Sequence, residues 1–182
     1  MMSQVFAKPE VVNNAGAEIA RRAKLATSCR ISVVVGPAHR GAFLATAVAL
    51  NLMSLSGEPL ALYTLRGRDG KPPFTLEPEC VQLVRKRNVL VVDDVLTTGN
   101  SARETVATVR KAGGTVIGVA TVVNRSKMTA EALGVPHLIT LEDFPLRHWG
   151  PEICQLCRKA TPFTEFGEET LTARLPAGHH PV

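Results

Sequence analysis

A hydrophobic run that leads directly into a small polar loop constrains the fold of this chain more than any other feature. Residues 89–92 are valine and leucine only, and their length and composition predict a strand buried on both faces of a parallel sheet. Asp93 and Asp94 follow at the carboxyl end of this strand, which is the edge where open α/β sheets bind ligands. We therefore expect a binding site here, although two acids after a strand are also common in solvated turns.

The loop after the acid pair has the composition of an anion site. It offers hydroxyl groups, a glycine that can adopt positive φ, and consecutive backbone N–H groups, from Thr97, Thr98, Gly99, Asn100 and Ser101. Ser101 and Glu104 match the S-x-x-E capping box, which predicts that a helix begins there with its positive end toward the loop. The loop is thus expected to wrap a phosphate; the alternative is an ordinary polar turn.

Joined in one run, the strand, the acid pair, the T-T-G-N-S loop and the helix resemble the phosphoribosyl-diphosphate (PRPP) motif of the type I phosphoribosyltransferases. The resemblance implies that Asp93 and Asp94 hold the ribose 2- and 3-hydroxyls and that the loop from Thr98 to Ser101 holds the 5-phosphate. It also implies an α/β fold, a parallel sheet flanked by helices, with a short irregular C-terminal tail. We expect a transferase domain over residues 1–160 and a partly disordered tail over residues 161–182.

A second glycine-bounded loop lies between a predicted strand, residues 31–35, and an apolar helical run, residues 42–55. By itself the sequence G-P-A-H-R-G, from Gly36 to Gly41, is a tight strand-to-helix turn. It is similar to the pyrophosphate loop of the family, especially that of the orotate phosphoribosyltransferases, where a lysine precedes the last glycine. Arg40 has that position here, and its guanidinium can contact pyrophosphate through two N–H groups. Arg40 and Gly41 are therefore expected to bind PRPP.

Residues 66–73 follow a predicted strand, residues 60–65, and combine glycines, prolines and charges, a composition that predicts a mobile loop. In orotate phosphoribosyltransferases the corresponding loop closes over the pyrophosphate and carries an arginine and lysines. The resemblance therefore implies PRPP contact for Arg66 and a catalytic charge for Lys71, with Arg68 as the alternative to that lysine. An exposed hairpin with solvated charges is the other interpretation.

Arg125 follows a predicted strand over residues 115–123. In the orotate enzymes an arginine at this strand end reaches the carboxylate of the substrate, so the resemblance implies a base site that contains Arg125 and Thr97. An arginine at a strand end is otherwise commonly exposed to solvent.

The reaction that the resemblance implies is glycosyl transfer, in which a nucleobase, orotate in the most similar enzymes, attacks C1 of PRPP and pyrophosphate leaves. Catalytic charges are expected from Asp94, Arg40 and Lys71, without a protein nucleophile. The expected cofactor is Mg²⁺ carried by PRPP, with no metal site of the protein itself, because Mg²⁺ keeps most of its waters and binds through substrate oxygens. Three alternatives stay open: a purine phosphoribosyltransferase, a PRPP- or nucleotide-sensing regulator that binds RNA, and a competence-type accessory protein.

Composition excludes other classes of protein. With 182 residues, 45% of them apolar, the chain fits one domain with a substantial core. The net charge of +5 suits anionic ligands but is spread along the chain, so nucleic acid is not an expected partner. No run has the length of a membrane span or the core of a signal peptide, and we expect a cytosolic homodimer without membrane association.

Cys154 and Cys157 form a C-x-x-C pair near the end of the chain. Such a pair is half of a structural zinc site, and the nearest further ligand in the sequence is His148. A similar W-x-P-E-x-C-x-L-C segment ends some orotate phosphoribosyltransferase-like chains, but this resemblance assigns the cysteines no role. Redox and metal chemistry both remain open for the pair.

Overall fold

Alternating helices and strands build the fold between Pro9 and Asp143. The computed structural model describes residues 6–56, 58–67, 73–146, 149 and 151–159. The helices are α1 (Pro9–Ala26), α2 (Arg40–Ser56), α3 (Pro78–Val84), α4 (Asn100–Lys111) and α5 (Ala130–Leu133), and the strands are β1 (Val33–Pro37), β2 (Leu60–Thr64), β3 (Asn88–Leu96), β4 (Thr115–Asn124) and β5 (Leu138–Asp143). This order confirms the predicted α/β class.

The described strands form one parallel sheet in the order β2-β1-β3-β4-β5. After β1 the chain adds β2 on one side, and it then returns to place β3 on the other side of β1. The strand order therefore reverses between β1 and β3, and open α/β sheets bind ligands at the carboxyl side of such a point.

Two apolar clusters cover the two faces of the sheet. One contains Ile19 and Ala23 of α1 and Leu44 and Val48 of α2, packed against Leu90 and other sheet residues. The opposite cluster joins residues of α3 and α4 to the other sheet face; its members include Val84, Val106, Val109, Val89 and Val91. Because both faces are covered, the strands are apolar almost throughout, as parallel strands of this kind require.

Strand β3 is longer than predicted and contains the acid pair. We expected the strand to end before Asp93, but it continues to Leu96, because β4 runs beside it and pairs Asp93 with Thr121 and Val95 with Val123. Asp93 and Asp94 therefore lie in a paired strand and not in a turn.

One further sequence prediction differs from the structure, and one helix was not predicted. Helix α4 begins at Asn100, with Gly99 as its N-cap and no capping hydrogen bond from a side chain, so the predicted capping box of Ser101 and Glu104 is wrong. Gly99 has φ 75°, which turns the chain into the helix before Ser101 is reached. Helix α3 was not predicted, although Pro78 at its first turn is a common helix-start signal.

The chain divides into two compact units, one over Met2–Pro145 and one that contains Leu146–Val182. In the second unit the structure describes a 3-10 helix, Pro151–Ile153, and a short helix, α6 (Gln155–Arg158). The boundary predicted at residue 160 and the tail over residues 161–182 lie outside the described residues. Across the helices that are described, none has the length and apolar character needed to cross a membrane.

Candidate active site

The carboxyl edge of the sheet collects the loops that the sequence singled out. The loop after β1 contains residues 38–39 and leads into α2, the loop after β3 contains residues 97–99 and leads into α4, and Arg125 follows β4. Because β1 and β3 are paired and parallel, their two loops are neighbours. The candidate site thus lies where the strand order reverses.

Close backbone packing fixes the loop between β1 and α2. A Cβ atom placed on Gly36 would lie 2.1 Å from the carbonyl oxygen of Gly41, and one placed on Gly41 would lie 2.6 Å from Cδ of Pro37. Neither position has room for a side chain, since the obstacles are the backbone and a rigid ring. The peptide bond between Ala38 and His39 is cis. Both glycines of the G-P-A-H-R-G sequence are therefore required by packing.

Arg40, the first residue of α2, contacts Asp94 directly. Its Nε donates a hydrogen bond to Oδ2 of Asp94. The arginine side chain is 45% exposed whereas that of the aspartate is 10% exposed, so the guanidinium still faces solvent and the carboxylate lies at the bottom of the site. Thr121 on β4 donates to the carbonyl oxygen of Asp94 at 3.2 Å and ties the acid pair to the neighbouring strand.

Asp93 is buried beside this ion pair. Its Oδ1 accepts a hydrogen bond from the backbone N–H of Asp94 at 2.9 Å. Burial and the adjacent carboxylate of Asp94 raise the pKa of Asp93 to about 8, although the positive charge of Arg66 opposes the increase. The raised pKa keeps this carboxyl group protonated to a higher pH than a free aspartate, and in the protonated form it can donate a hydrogen bond as well as accept one.

Arg66 joins the loop after β2 to the loop after β1. Its Nε donates to the carbonyl oxygen of Ala38 at 2.7 Å, and its guanidinium carbon lies 5.4 Å from the ring centre of Phe74. Leu65 and Thr75 exchange backbone hydrogen bonds at 2.7 and 2.9 Å, so both arms of this loop are fixed at their base. The predicted positions Lys71 and Arg68 lie outside the described residues.

The loop between β3 and α4 presents polar groups to solvent. Thr97, Thr98 and Asn100 are exposed, Gly99 is buried, and the backbone N–H of Asn100 donates to the hydroxyl of Thr98 at 3.4 Å. Ser101 lies in the first turn of α4. Hydroxyl groups and the N–H groups of a helix N-terminus thus occur together, which is an arrangement suited to a phosphate.

Arg103, whose role the sequence did not indicate, holds this loop in place. Its guanidinium donates to the carbonyl oxygens of Thr98 at 2.9 Å and Ala132 at 3.2 Å, and to Oδ1 of Asn100 at 3.3 Å. One arginine thereby connects the candidate phosphate loop to α5. Arg103 is one of many arginines in the chain, and neither its spacing nor its neighbours in sequence indicated this role.

Arg125 is held by its backbone and has an unsatisfied side-chain atom. Its N–H donates to the carbonyl oxygen of Leu96 at 2.8 Å, which places it beside the end of β3. Its Nε and the hydroxyl of Ser126 are buried and have no hydrogen-bond partner among the described residues. Buried donors without partners are rare and cost about 1–3 kcal/mol each, so this position is suited to an anionic ligand.

Not all of the predicted site residues are in direct contact with one another. Arg40 and Asp94 form an ion pair, Asp93 is adjacent to them, and Arg66 contacts the loop before Arg40 at the carbonyl oxygen of Ala38. Within the described residues no group of three or more His, Cys, Asp or Glu side chains could hold a metal ion. Among the described residues, the arrangement has charges and hydroxyl groups that are chemically compatible with a phosphorylated sugar.

Comparison with known proteins gives consistent matches. Residues 3–154 match the family described as Phosphoribosyl transferase domain. An orotate phosphoribosyltransferase of Pelotomaculum thermopropionicum is 37% identical over 146 residues, which are 78% of this chain and 68% of the relative. That of Caldanaerobacter subterraneus is 31% identical and covers 93% of this chain and 82% of the relative. The solved structure of an orotate phosphoribosyltransferase from Aeropyrum pernix superimposes with a TM-score of 0.56 at 27% identity, over 79% of this chain and 77% of that one.

Proposed function

Because this chain belongs to the phosphoribosyl transferase domain family, we propose that it transfers the 5-phosphoribosyl group of PRPP to orotate and releases pyrophosphate. The observation that carries this proposal is the ion pair of Arg40 and Asp94 at the carboxyl ends of β1 and β3. This ion pair places a cation that can bind pyrophosphate and a carboxylate that can bind ribose between two loops that are each suited to a phosphate group. The relatives named orotate phosphoribosyltransferases support the choice of base.

PRPP would replace contacts that the protein makes with itself. The pyrophosphate takes the guanidinium of Arg40 together with Gly41 and Arg66, and the ribose hydroxyls take the carboxyl groups of Asp93 and Asp94. The 5-phosphate lies in the loop formed by Thr97, Thr98, Gly99, Asn100 and Ser101. The exposed part of the Arg40 side chain supports this exchange, because an anion can approach it from solvent while Asp94 stays at the bottom of the site.

The raised pKa of Asp93 supports its proposed role toward ribose. A protonated carboxyl group can donate to one hydroxyl oxygen and accept from another, whereas a second carboxylate beside Asp94 would only accept. The two acids can therefore serve adjacent hydroxyl groups with complementary hydrogen bonds.

Magnesium fits this site as an ion that arrives with the substrate. The described residues offer carboxyl groups at Asp93 and Asp94 but no cage of three or more ligands, so the ion would be held by PRPP oxygens and water beside these two acids. When bound, it neutralises charge on the departing pyrophosphate. The residues of the chain orient the ribose and bind the outer pyrophosphate oxygens.

The orotate carboxylate would pair with Arg125. Its buried Nε has no partner among the described residues, and a carboxylate would supply one. Thr97, exposed at the end of β3, would contact the base from the other side. Catalysis then consists of orienting the base nitrogen toward C1 and stabilising the leaving group with Arg40, Asp94 and the proposed Lys71, without a covalent intermediate.

We also expect a homodimer in the cytosol. Helix α2 carries an apolar stripe at its solvent face, where Phe43 is 61%, Leu50 58% and Met53 47% exposed. These positions recur at helical spacing, so they share one face and offer a surface that a second copy could cover.

The experiment that tests the function is a panel of bases with PRPP and Mg²⁺, followed by pyrophosphate release and identification of the nucleotide. We expect release with orotate and none with adenine, guanine or hypoxanthine. Activity with a purine alone would contradict the orotate assignment. Inactivity with every base, together with PRPP or RNA binding, would contradict the enzymatic proposal and favour the regulator.

A further inference from the structure

The cysteines of the C-x-x-C pair meet in the described part of the second unit. Cys154 is the N-cap of α6, and the backbone N–H of Cys157 donates to its sulfur at 3.3 Å. The two Sγ atoms lie 2.7 Å apart. Cys157 is exposed and Cys154 half-buried, so the pair is open to small reagents.

The separation of the sulfur atoms discriminates between the two chemistries that a C-x-x-C pair offers. Two thiolates on one tetrahedral zinc ion, each about 2.3 Å from the metal, are about 3.8 Å apart. A disulfide bond is about 2.05 Å long. The observed 2.7 Å is shorter than the separation of two zinc-bound thiolates, so the two sulfur atoms are in contact, as disulfide formation requires. The geometry therefore favours disulfide formation.

The two thiols are also unequal, as a reacting pair requires. The S–H of Cys157 and the backbone N–H of Cys157 donate to Cys154, and these hydrogen bonds lower the pKa of the Cys154 thiol. The same contact raises the pKa of Cys157. Cys154 is therefore the thiol that forms the nucleophilic thiolate first, and Cys157 is positioned to attack it afterwards.

We propose that Cys154 and Cys157 are a redox-active dithiol that reacts with small-molecule disulfides to form a reversible intrachain disulfide. The thiolate of Cys154 attacks one sulfur of the external disulfide, and the S–S bond of the reagent breaks to release one thiolate. Cys157 then loses its proton and attacks the sulfur of Cys154, which expels the second thiolate. Two electrons pass from the protein to the reagent, and two protons complete the two released thiols.

The charged side chains next to the pair suit an anionic disulfide. Arg158 and Lys159 follow Cys157 and are exposed, and Glu152 is the acidic residue on the other side. Arg158 also donates to the carbonyl oxygen of Glu152 at 3.5 Å. Oxidised glutathione, which carries carboxylates, is therefore the probe of choice.

The test uses the reduced full-length protein, incubated with oxidised glutathione and analysed by intact-mass and peptide-mass spectrometry. We expect the wild type to lose two hydrogens, with Cys154 linked to Cys157 and no glutathione retained. Cys157→Ser should keep one glutathione on Cys154, because the resolving thiol is missing. Exposed Cys29 is the internal control and should react at least tenfold more slowly than Cys154.

A second measurement keeps the proposal independent of folding defects. The pH at which Cys154 is half-maximally alkylated should rise in Cys157→Ala, since the variant removes the S–H donor that lowers the Cys154 pKa. Equal reactivity of Cys29 and Cys154, an unchanged pH midpoint, or glutathione retained by the wild type would overturn the proposal. So would one tightly bound Zn²⁺ per two chains that protects both thiols, which would indicate a metal site shared between copies.

Discussion

Two arginines of the candidate site differ in what they contact. Arg40 is paired with Asp94, so its charge is already compensated before a ligand arrives. Arg125 has a buried Nε without a partner among the described residues. A ligand at Arg40 must therefore compete with a carboxylate, whereas one at Arg125 would supply a partner that Nε lacks among the described residues. The energetic consequence of removing each side chain should differ accordingly.

Arg125→Ala should raise the KM for orotate by roughly 30-fold or more, because loss of a desolvated charge partner is worth about 2–5 kcal/mol. PRPP affinity should stay within about twofold, since the proposed PRPP contacts do not include Arg125. Steady-state kinetics and calorimetry measure the two quantities, with Lys111→Ala at the end of α4 as a control for the loss of one positive charge. An equal loss of PRPP affinity would contradict the base-site assignment.

Asp93 should make the folded protein less stable as the pH rises. Its folded pKa of about 8 lies above the ordinary 3.8, so between these values the folded chain holds a proton that the unfolded chain has released. Stability from this residue is complete below about pH 4 and is lost toward pH 8, by on the order of 1 kcal/mol per pH unit. Asp93→Asn, compared with wild type by urea unfolding across this window, should remove the slope and be relatively more stable at pH 8. Asp143→Asn at the end of β5 should leave the slope unchanged.

For single residues, the sequence predicted which side chains belong to the candidate site better than it predicted their contacts with one another. The arginines at positions 40, 66 and 125 follow β1, β2 and β4, as expected, whereas the acid pair lies within β3 and not after it. The ion pair of Arg40 with Asp94 was not predictable, because it joins residues 54 positions apart. Arg103 was missed for a similar reason, since its partners at Thr98 and Ala132 become neighbours only in the fold.

The element that most directly shapes the site is the start of α4. Gly99 has positive φ, and a Cβ atom there would lie 3.0 Å from Cε of Met128 and 3.1 Å from Cδ2 of Leu133. The conformation of this turn is thus restricted both by the positive φ of Gly99 and by the side chains of Met128 and Leu133 packed beside it. The capping box predicted at Ser101 failed because sequence spacing alone does not reveal that a left-handed glycine has already started the helix.

Gly99→Val should abolish measurable PRPP binding. The strain of a β-branched residue at φ 75° is of order 1–3 kcal/mol, and the contacts with Met128 and Leu133 add displacement of the loop. Gly113→Val is the matched control, because Gly113 has φ 82° but lies at the other end of α4. Calorimetry with PRPP should separate the two variants, whereas thermal unfolding should show that both are destabilised. Similar PRPP affinities for both variants would mean that the loop is only a turn.

Arg103→Ala should weaken PRPP binding about tenfold, because the loop loses hydrogen bonds to Thr98 and Asn100 that are together worth about 1–2 kcal/mol. Arg103→Lys should not restore affinity, since an ammonium cannot reproduce the forked geometry of a guanidinium. Arg110→Ala, on the same helix and bonded to the carbonyl oxygen of Gly134, controls for charge and helix propensity. Equal PRPP affinities of the two alanine variants would contradict the role of Arg103 in positioning the loop.

For the whole molecule, the fold class followed from the alternation of apolar runs and glycine-bounded loops. The boundaries did not, because strands β3 and β4 extend past the predicted ends to pair with each other. Self-association depends on which side chains are exposed together on the surface of the folded protein. The exposed stripe on α2 could not be recognised in the sequence, where the same apolar spacing also describes the buried face of that helix.

Leu50→Lys should convert the proposed homodimer to a monomer at micromolar concentration, because a charge at the centre of a covered apolar stripe is costly to desolvate. Leu25→Lys on α1 is the control, since Leu25 is 76% exposed and lies outside the stripe. Light scattering after size-exclusion chromatography gives both masses. A dimer that persists in Leu50→Lys would exclude α2 as the interface, and a monomeric wild type would exclude the dimer itself.

The parallel arrangement of the sheet has a consequence for the order in which the protein is made. Every pair of neighbouring strands needs a crossover connection, so few of the sheet contacts are local and folding is expected to be slow compared with a helical protein of this size. During synthesis α2 emerges well before β3, so Arg40 cannot form its ion pair until Asp94 has been synthesised. The nascent chain therefore exposes an incomplete sheet edge at β1 until the central strand arrives, and this interval is when chaperones would protect it most.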